Sequence, residues 1–259
     1  MERTIKKAEV YTALADIYDE VMNNVDYETW ANYIDEILMV HHPGAERIHE
    51  LACGTGTMAL SLEELGYYTI TASDRSEAMI RVAREKAAEA GSEISFEVID
   101  FLKLPTNVQY DAVFMVFDSI NYLHDPEQIR ELHQQVYTIL NPGGLFIYDF
   151  TTPHNSRQAI RVLNNISRRV SPEVRFHRES TYHAKSRIHS NNFLIEYRDQ
   201  EPPHRKRYFR EIHEQKIYTR QEMMEIVRTT PFHIVAAYDG FMLKPAHDKS
   251  LRVTMVLRK

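Results

Sequence analysis

Five times before residue 150, a short apolar run is followed by a segment with apolar residues at three- and four-residue spacing. That alternation limits the fold more than any other feature of the chain. "RIHELA" reads as a strand and "TMALSLEELG" as a helix closed at Gly66. "YTITAS" is a second strand, and Ser76 caps the helix "EAMIRVAREKAAEA", which stops at Gly91. "ISFEVI" and "YDAVFMVF" are short apolar runs of the kind that parallel sheets bury on both faces. Asp125-Pro126 opens "EQIRELHQQVYTIL", and "NPGG" turns the chain into "LFIYDF". The expected core is an α/β, doubly wound parallel sheet, preceded by two helices in "VYTALADIYDEVM" and "YETWANYIDEILMV".

After Phe150 the period changes. "VRFHREST", "RIHSNNFLIEYR" and "KRYFREIHEQKIY" alternate and are rich in aromatic and β-branched residues, which predicts antiparallel strands. Thr219 and Glu222 then form a capping-box pair, and "FHIVAAY" and "SLRVTMVLR" read as two final strands. This divides the chain into a core of residues 1–155 and 219–259 and a strand-rich insertion of residues 156–218. With 259 residues, 43% hydrophobic and 26% charged, the chain can bury a full core. Residues 157–220 hold 15 Lys plus Arg against 7 Asp plus Glu, a local excess of +8 that leaves −14 on the rest. Such a run is a solvated surface or a basic wall that draws in an anionic substrate. The five histidines at positions 177, 183, 189, 204 and 213 lack a convincing metal-ligand spacing and are expected to be solvated strand residues, with no metal site. A single cysteine, the absence of a signal-like amino terminus and the lack of a spanning apolar run predict a cytoplasmic protein with no membrane segment. A net charge of −6 makes nucleic acid an improbable partner.

The turn after the first core strand, "ELACGTGTMA", needs glycine where backbone must approach a ligand. No lysine follows Gly56, which excludes a phosphate loop of the Gly-Lys-Ser/Thr type. A nicotinamide dinucleotide site is loosely satisfied by Asp74 some twenty residues on. It is opposed by the acid Glu50 inside the strand, the late first strand and the two strands after the insertion.

In order and spacing, "HELACGTG", "ASDRSEAM", "EVIDF", "YDAVFMVFDSINYL" and "LNPGGLFIYDF" resemble the class I S-adenosylmethionine-dependent methyltransferases of the small-molecule type, over roughly residues 10–150. One departure is Ala52, where the family often has glycine. The resemblance implies a Rossmann-like, seven-stranded sheet with an antiparallel insertion after the fifth strand, and S-adenosylmethionine as cofactor. It implies that Ala52, Cys53, Gly54 and Gly56 meet the aminoacyl end and ribose, with Glu50 bracing the loop or reaching the ammonium group. Asp74, with Arg75 beside it, would hold the ribose hydroxyls. Met79 would lie under the adenine, and Asp100 and Phe101 would contact it. Phe117 would flank the ligand, and Tyr18 would cover it from a lid helix. Asp118, Asn121, Tyr122, Asp149 and Tyr11 are candidates for the acceptor site. No dedicated catalytic residue is named, because in-line displacement at a sulfonium methyl needs alignment more than acid or base. Cys53 reads as packing, without a basic partner nearby in sequence to make it a nucleophile. The expected reaction is methyl transfer to an O or N atom of a small metabolite, an anionic one where the basic run is a substrate wall, by a protein that could form a homodimer. A protein or RNA acceptor, a non-catalytic scaffold and a nicotinamide-dependent oxidoreductase remain as alternatives. "FDSINY" lacks the Asp/Asn-Pro-Pro-Tyr-like motif of adenine-amino methyltransferases.

Overall fold

The computed structural model describes residues 4–201 and 203–259. In chain order the elements are β1 (Ile5–Lys7), α1 (Tyr18–Val21), α2 (Tyr27–His41), β2 (Arg47–Leu51), α3 (Thr57–Glu63), β3 (Thr69–Asp74), α4 (Glu77–Ala90), β4 (Ser95–Val98) and β5 (Tyr110–Met115). They continue as α5 (Pro126–Ile139), β6 (Leu140–Thr151), α6 (Pro153–Leu163), β7 (Ile166–Arg169), β8 (Val174–His183), β9 (Ile188–Arg198), β10 (Lys206–Lys216), α7 (Arg220–Val227), β11 (His233–Asp239), β12 (Met242–Pro245) and β13 (Arg252–Arg258).

The larger sheet runs in the order β12-β11-β13-β6-β5-β2-β3-β4. Strands β4, β3, β2, β5 and β6 are parallel neighbours, whereas β13 and β11 are antiparallel. The chain therefore reverses its winding direction beside β2, and a cleft opens there at the carboxyl ends of β2, β3 and β5. Local chemistry sets the element ends. Ser76 accepts from the Met79 amide, and Gly91 closes α4 at φ +69°. Asp125 and Gln128 form a capping box on α5, as do Thr219 and Glu222 on α7. Phe114, Phe146, Tyr148 and Phe150 are fully buried between the helical layers; each such side chain contributes on the order of 2–3 kcal/mol by burial.

A second sheet, β1-β10-β9-β8-β7, stands over the cleft. Three features depart from the sequence reading of the elements. The main sheet has eight strands because Phe241–Pro245 folds back and β12 pairs with β11. Residues 153–163 form a helix, with the Thr152 side chain as cap and Pro153 at its first turn. Residues 10–22 do not make a helix of that length: a 3-10 turn over Ala15–Ile17 and one turn of α-helix replace it. The reason is a long-range one. Glu211 on β10 takes the amide N–H groups of Tyr11, Ala13 and Leu14, and Tyr11 sits at φ +63°. Among the described residues, no helix is long and apolar enough to cross a membrane.

Two buried histidines make the fold acid-sensitive. His49 lies between Thr71 and Ser73, and His133 donates to the Ile129 carbonyl; burial lowers each to about 4. Their full contribution holds above the unfolded value near 6.5 and is lost as pH falls from there towards 4, since the unfolded chain takes up protons that the folded chain refuses. We expect a loss of about 3 kcal/mol per histidine across that window, read by urea melts at pH 7, 5.5 and 4. An unfolding free energy flat between pH 7 and 4 would refute it.

Candidate active site

The cleft is built from four loop ends. After β2 the chain turns at Ala52 (φ +54°) and reaches Gly56 (φ +74°), where an added Cβ would sit 2.6 Å from Phe96 Cε1. After β5, Phe117 and Asp118 also adopt left-handed conformations, at +59° and +52°. Non-glycine residues in that region cost about 1 kcal/mol or more each, and such strain collects at ligand clefts. Asp74, the last residue of β3, accepts the Gly54 amide at 2.9 Å through one oxygen and the Ser76 amide at 2.8 Å through the other. A carboxylate has about four acceptor positions, so each oxygen retains one for a ligand hydroxyl. Burial raises its pKa while the backbone donors oppose that shift. Glu50 is buried, and its Oε2 has no hydrogen-bond partner among the described residues. Burial first, and the Asp74 charge second, push Glu50 well above the usual carboxylate range. An orphaned buried oxygen of this kind fits a ligand cation, which would restore its charge. Asp100 accepts the Leu102 amide at 3.0 Å, and Met79 closes the floor.

These residues enclose a cavity of about 220 Å³, lined by Glu50, Ala52, Cys53, Gly54, Asp74, Arg75, Met79, Asp100 and Phe101, with Tyr11, Tyr18, Phe117 and Tyr122 on its outer side. Burial pushes the Cys53 thiol up, which leaves it protonated and unreactive. A lid is tied across the opening. Asp19 accepts from Thr55 and Lys86, Tyr18 approaches Gly54, and Ser76 Oγ donates to the Tyr11 carbonyl at 2.7 Å.

A second cavity of about 1240 Å³ lies between the core and the five-stranded sheet. It shares Tyr11, Tyr18, Phe117 and Tyr122 with the first, so these four side chains form the boundary. Asp118 lines the larger cavity and is held by Gln215 and by Arg252, which also pairs with Asp149. Gly56, Asn121 and Asp149 line neither cavity. Gly56 gives steric room to Phe96. Asn121 is fully buried and spends its amide between the Lys216 carbonyl and the Thr151 N–H. Asp149 is fully buried behind Asp118, whose amide it accepts. Asn121 thus braces the loop after β5 in place of the expected acceptor contact, whereas Asp149 braces it through Oδ2 and lines neither cavity, its Oδ1 having no hydrogen-bond partner among the described residues.

The wall contributed by the second sheet went unread in the sequence. Its inward face carries Arg178 and Ser180 from β8, His189 and Asn191 from β9, and Glu211, His213 and Gln215 from β10. His189 and His213 are buried, not solvated as expected. The sequence carries only a weak signal for this wall, because polar residues such as His189-Ser190-Asn191-Asn192 occupy both faces of the strands. A connected chain runs through this wall. Tyr11 and Tyr122 hydroxyls lie 2.7 Å apart, Tyr122 reaches His213 Nδ1 at 3.0 Å, and His213 Nε2 meets Glu211 at 3.1 Å. Because Glu211 accepts from backbone amides as well, the imidazole proton belongs on Nε2 and Nδ1 accepts from Tyr122.

A doubly wound sheet with a glycine turn, an acid ending its second parallel strand and a lid over both encloses a ligand cleft at the strand ends. A family described as "Methyltransferase domain" matches residues 48–144. This likeness covers the parallel part of the larger sheet, from β2 to the start of β6. YqeM of Bacillus subtilis is 33% identical over 141 residues, 54% of this chain and 55% of YqeM. The chain thus spans about half the length of the curated relatives it matches. Two solved structures share the fold over nearly the whole chain. An S-adenosylmethionine-dependent methyltransferase from Clostridium acetobutylicum superposes with TM-score 0.77 at 24% identity, covering 95% of this chain and 97% of that one. The sugar N-methyltransferase KedS8 from a Streptoalloteichus species gives 0.72 at 16%, covering 100% of both.

Proposed function

We propose that this chain transfers a methyl group from S-adenosylmethionine to an oxygen or nitrogen of a small, anionic metabolite held in the larger cavity. The observation that carries the reading is the shared boundary: the cleft lined by Glu50, Asp74 and Asp100 and the larger chamber meet at Tyr11, Tyr18, Phe117 and Tyr122. In the smaller cavity, Glu50 suits the ligand ammonium, Asp74 the ribose and Asp100 the adenine amine. When bound, the cofactor supplies an electrophilic methyl group. The protein aligns the acceptor and excludes water, which accounts for on the order of 7–11 kcal/mol of barrier lowering. The roof of this chamber comes from the basic segment, which favours a negatively charged guest.

Proton removal from the acceptor is assigned to the Tyr11–Tyr122–His213 chain. Burial raises both phenols well above their ordinary value, so they stay protonated and pass a proton on rather than keep it. Tyr11 takes the acceptor proton as its own moves to Tyr122, and the Tyr122 proton moves to His213 Nδ1. The resulting imidazolium faces the Glu211 carboxylate. Breaking the chain at Tyr122→Phe is expected to lower kcat about 100-fold, within the usual range for general base assistance, with S-adenosylhomocysteine affinity unchanged. A Phe variant turning over at the wild-type rate would remove the relay. The function itself is tested by incubating the protein with methyl-labelled S-adenosylmethionine and a charge-fractionated metabolite extract. Label should enter the small-molecule fraction retained on an anion exchanger; label only in protein or RNA would overturn the reading.

A further inference from the structure

We propose that Arg178 and His189 form an oxyanion subsite in the larger cavity, which anchors a carboxylate or phosphate of the methyl acceptor. This rests on the proposed methyl transfer and says where the guest's charge is held.

Three arginines line the chamber: Arg168, Arg178 and Arg252. Arg252 is neutralised by Asp118 and Asp149, and Arg168 is exposed and donates to Asn23. Arg178 differs from both. It is half-buried, and among the described residues it forms no ion pair with a carboxylate. Its Nε and Nη2 donate to one neutral acceptor, Asn191 Oδ1, at 3.0 and 2.8 Å, and its guanidinium stands 5.3 Å from the centre of the Phe193 ring. The Nη1 edge has no acceptor among the described residues. Burial lowers the Arg178 pKa, as it must when a cation is desolvated without a partner, yet a guanidinium remains charged at any working pH. A half-buried cation with donors to spare is stabilised by a ligand anion, preferentially through paired N–H contacts.

His189 supplies the second, independent observation. It is 5% exposed, lines the same chamber, and its Nε2 is buried with no hydrogen-bond partner among the described residues. Burial, and after it the Arg178 charge, keep the imidazole neutral. A neutral imidazole with Nε2 protonated offers one donor and adds no repulsion to the bound anion. Asn191 links the subsite to the proton relay: it binds Arg178, and it pairs across the ladder with His213. The anion of the acceptor is therefore anchored beside the strand that carries the relay, and the reacting atom is left to reach the Tyr11–Tyr122 boundary.

The test is calorimetric titration of the full chain with sodium acetate and with inorganic phosphate, in chloride buffer, with and without saturating S-adenosylhomocysteine. Wild type should bind at least one anion, with acetate preference indicating a carboxylate guest and phosphate preference a phosphate ester. Arg178→Gln should weaken that binding at least tenfold and Arg178→Lys less, while all three proteins bind S-adenosylhomocysteine equally. Wild type that takes up neither anion, or Arg178→Gln that binds it as well as wild type, would overturn the subsite. The methyl-transfer reading would survive either result, because it is tested by S-adenosylhomocysteine binding and by the fate of the labelled methyl group, not by anion uptake.

Discussion

Asp74→Ala is expected to weaken S-adenosylhomocysteine binding about 100-fold, equivalent to about 2.7 kcal/mol. The side chain ends β3 at the cleft, and its two oxygens already orient the Gly54 and Ser76 amides. Alanine removes the proposed ribose acceptor and also frees two backbone donors on the loops that enclose the cofactor. Charge-assisted hydrogen bonds of this type contribute about 1.5–3 kcal/mol, and unpaired buried donors add their own penalty. Asp74→Asn separates the two effects, since it retains an acceptor oxygen but not the charge. Intermediate affinity for Asn is expected, and an Ala variant with wild-type affinity would take Asp74 out of the site.

The second large effect lies far from the cofactor in sequence. Glu211→Ala leaves the amides of Tyr11, Ala13 and Leu14 and the Nε2 of His213 without their shared acceptor. Removing one partner from a buried charged network typically costs about 3–5 kcal/mol. We expect a drop of about 3 kcal/mol in unfolding free energy, with hydrogen exchange of residues 11–14 accelerated more than that of β2 or β5. The lid carries Tyr11 and Tyr18, so turnover should fall as well. Unchanged exchange at Tyr11–Leu14 would show that Glu211 does not clamp the lid.

Glu211 also shows what the sequence could and could not convey. The parallel core was legible because its determinants are local: the Ser76 and Asp125 caps, the glycine turn and the apolar runs each act over a few residues. The spacing of "VYTALADIYDEVM" was equally helical, but a carboxylate 200 positions away takes the amides that a helix would need. The helix over Pro153–Leu163 had a local signal in Thr152-Pro153, which competes with the strand-like composition that follows it. Residues at the cleft were readable because their positions relative to the strand ends fix their placement. Asn121 and Asp149 lie in equally suitable segments at the end of the sheet, yet Asn121 spends both ends of its amide on backbone and Asp149 pairs with Arg252, partners that no linear pattern reveals. The polar wall was missed for a different reason. Alternation reports that a strand has two faces, but it does not report that another sheet covers one of them, so His189 and His213 resembled surface residues.

The central claim is that the parallel sheet and its lid hold an adenosyl sulfonium compound. Calorimetric titration of the purified chain with S-adenosylhomocysteine, set beside NAD, measures it directly. The account predicts saturable one-to-one binding of S-adenosylhomocysteine and none of NAD. A folded protein that binds NAD, or neither compound at millimolar concentration, would contradict it.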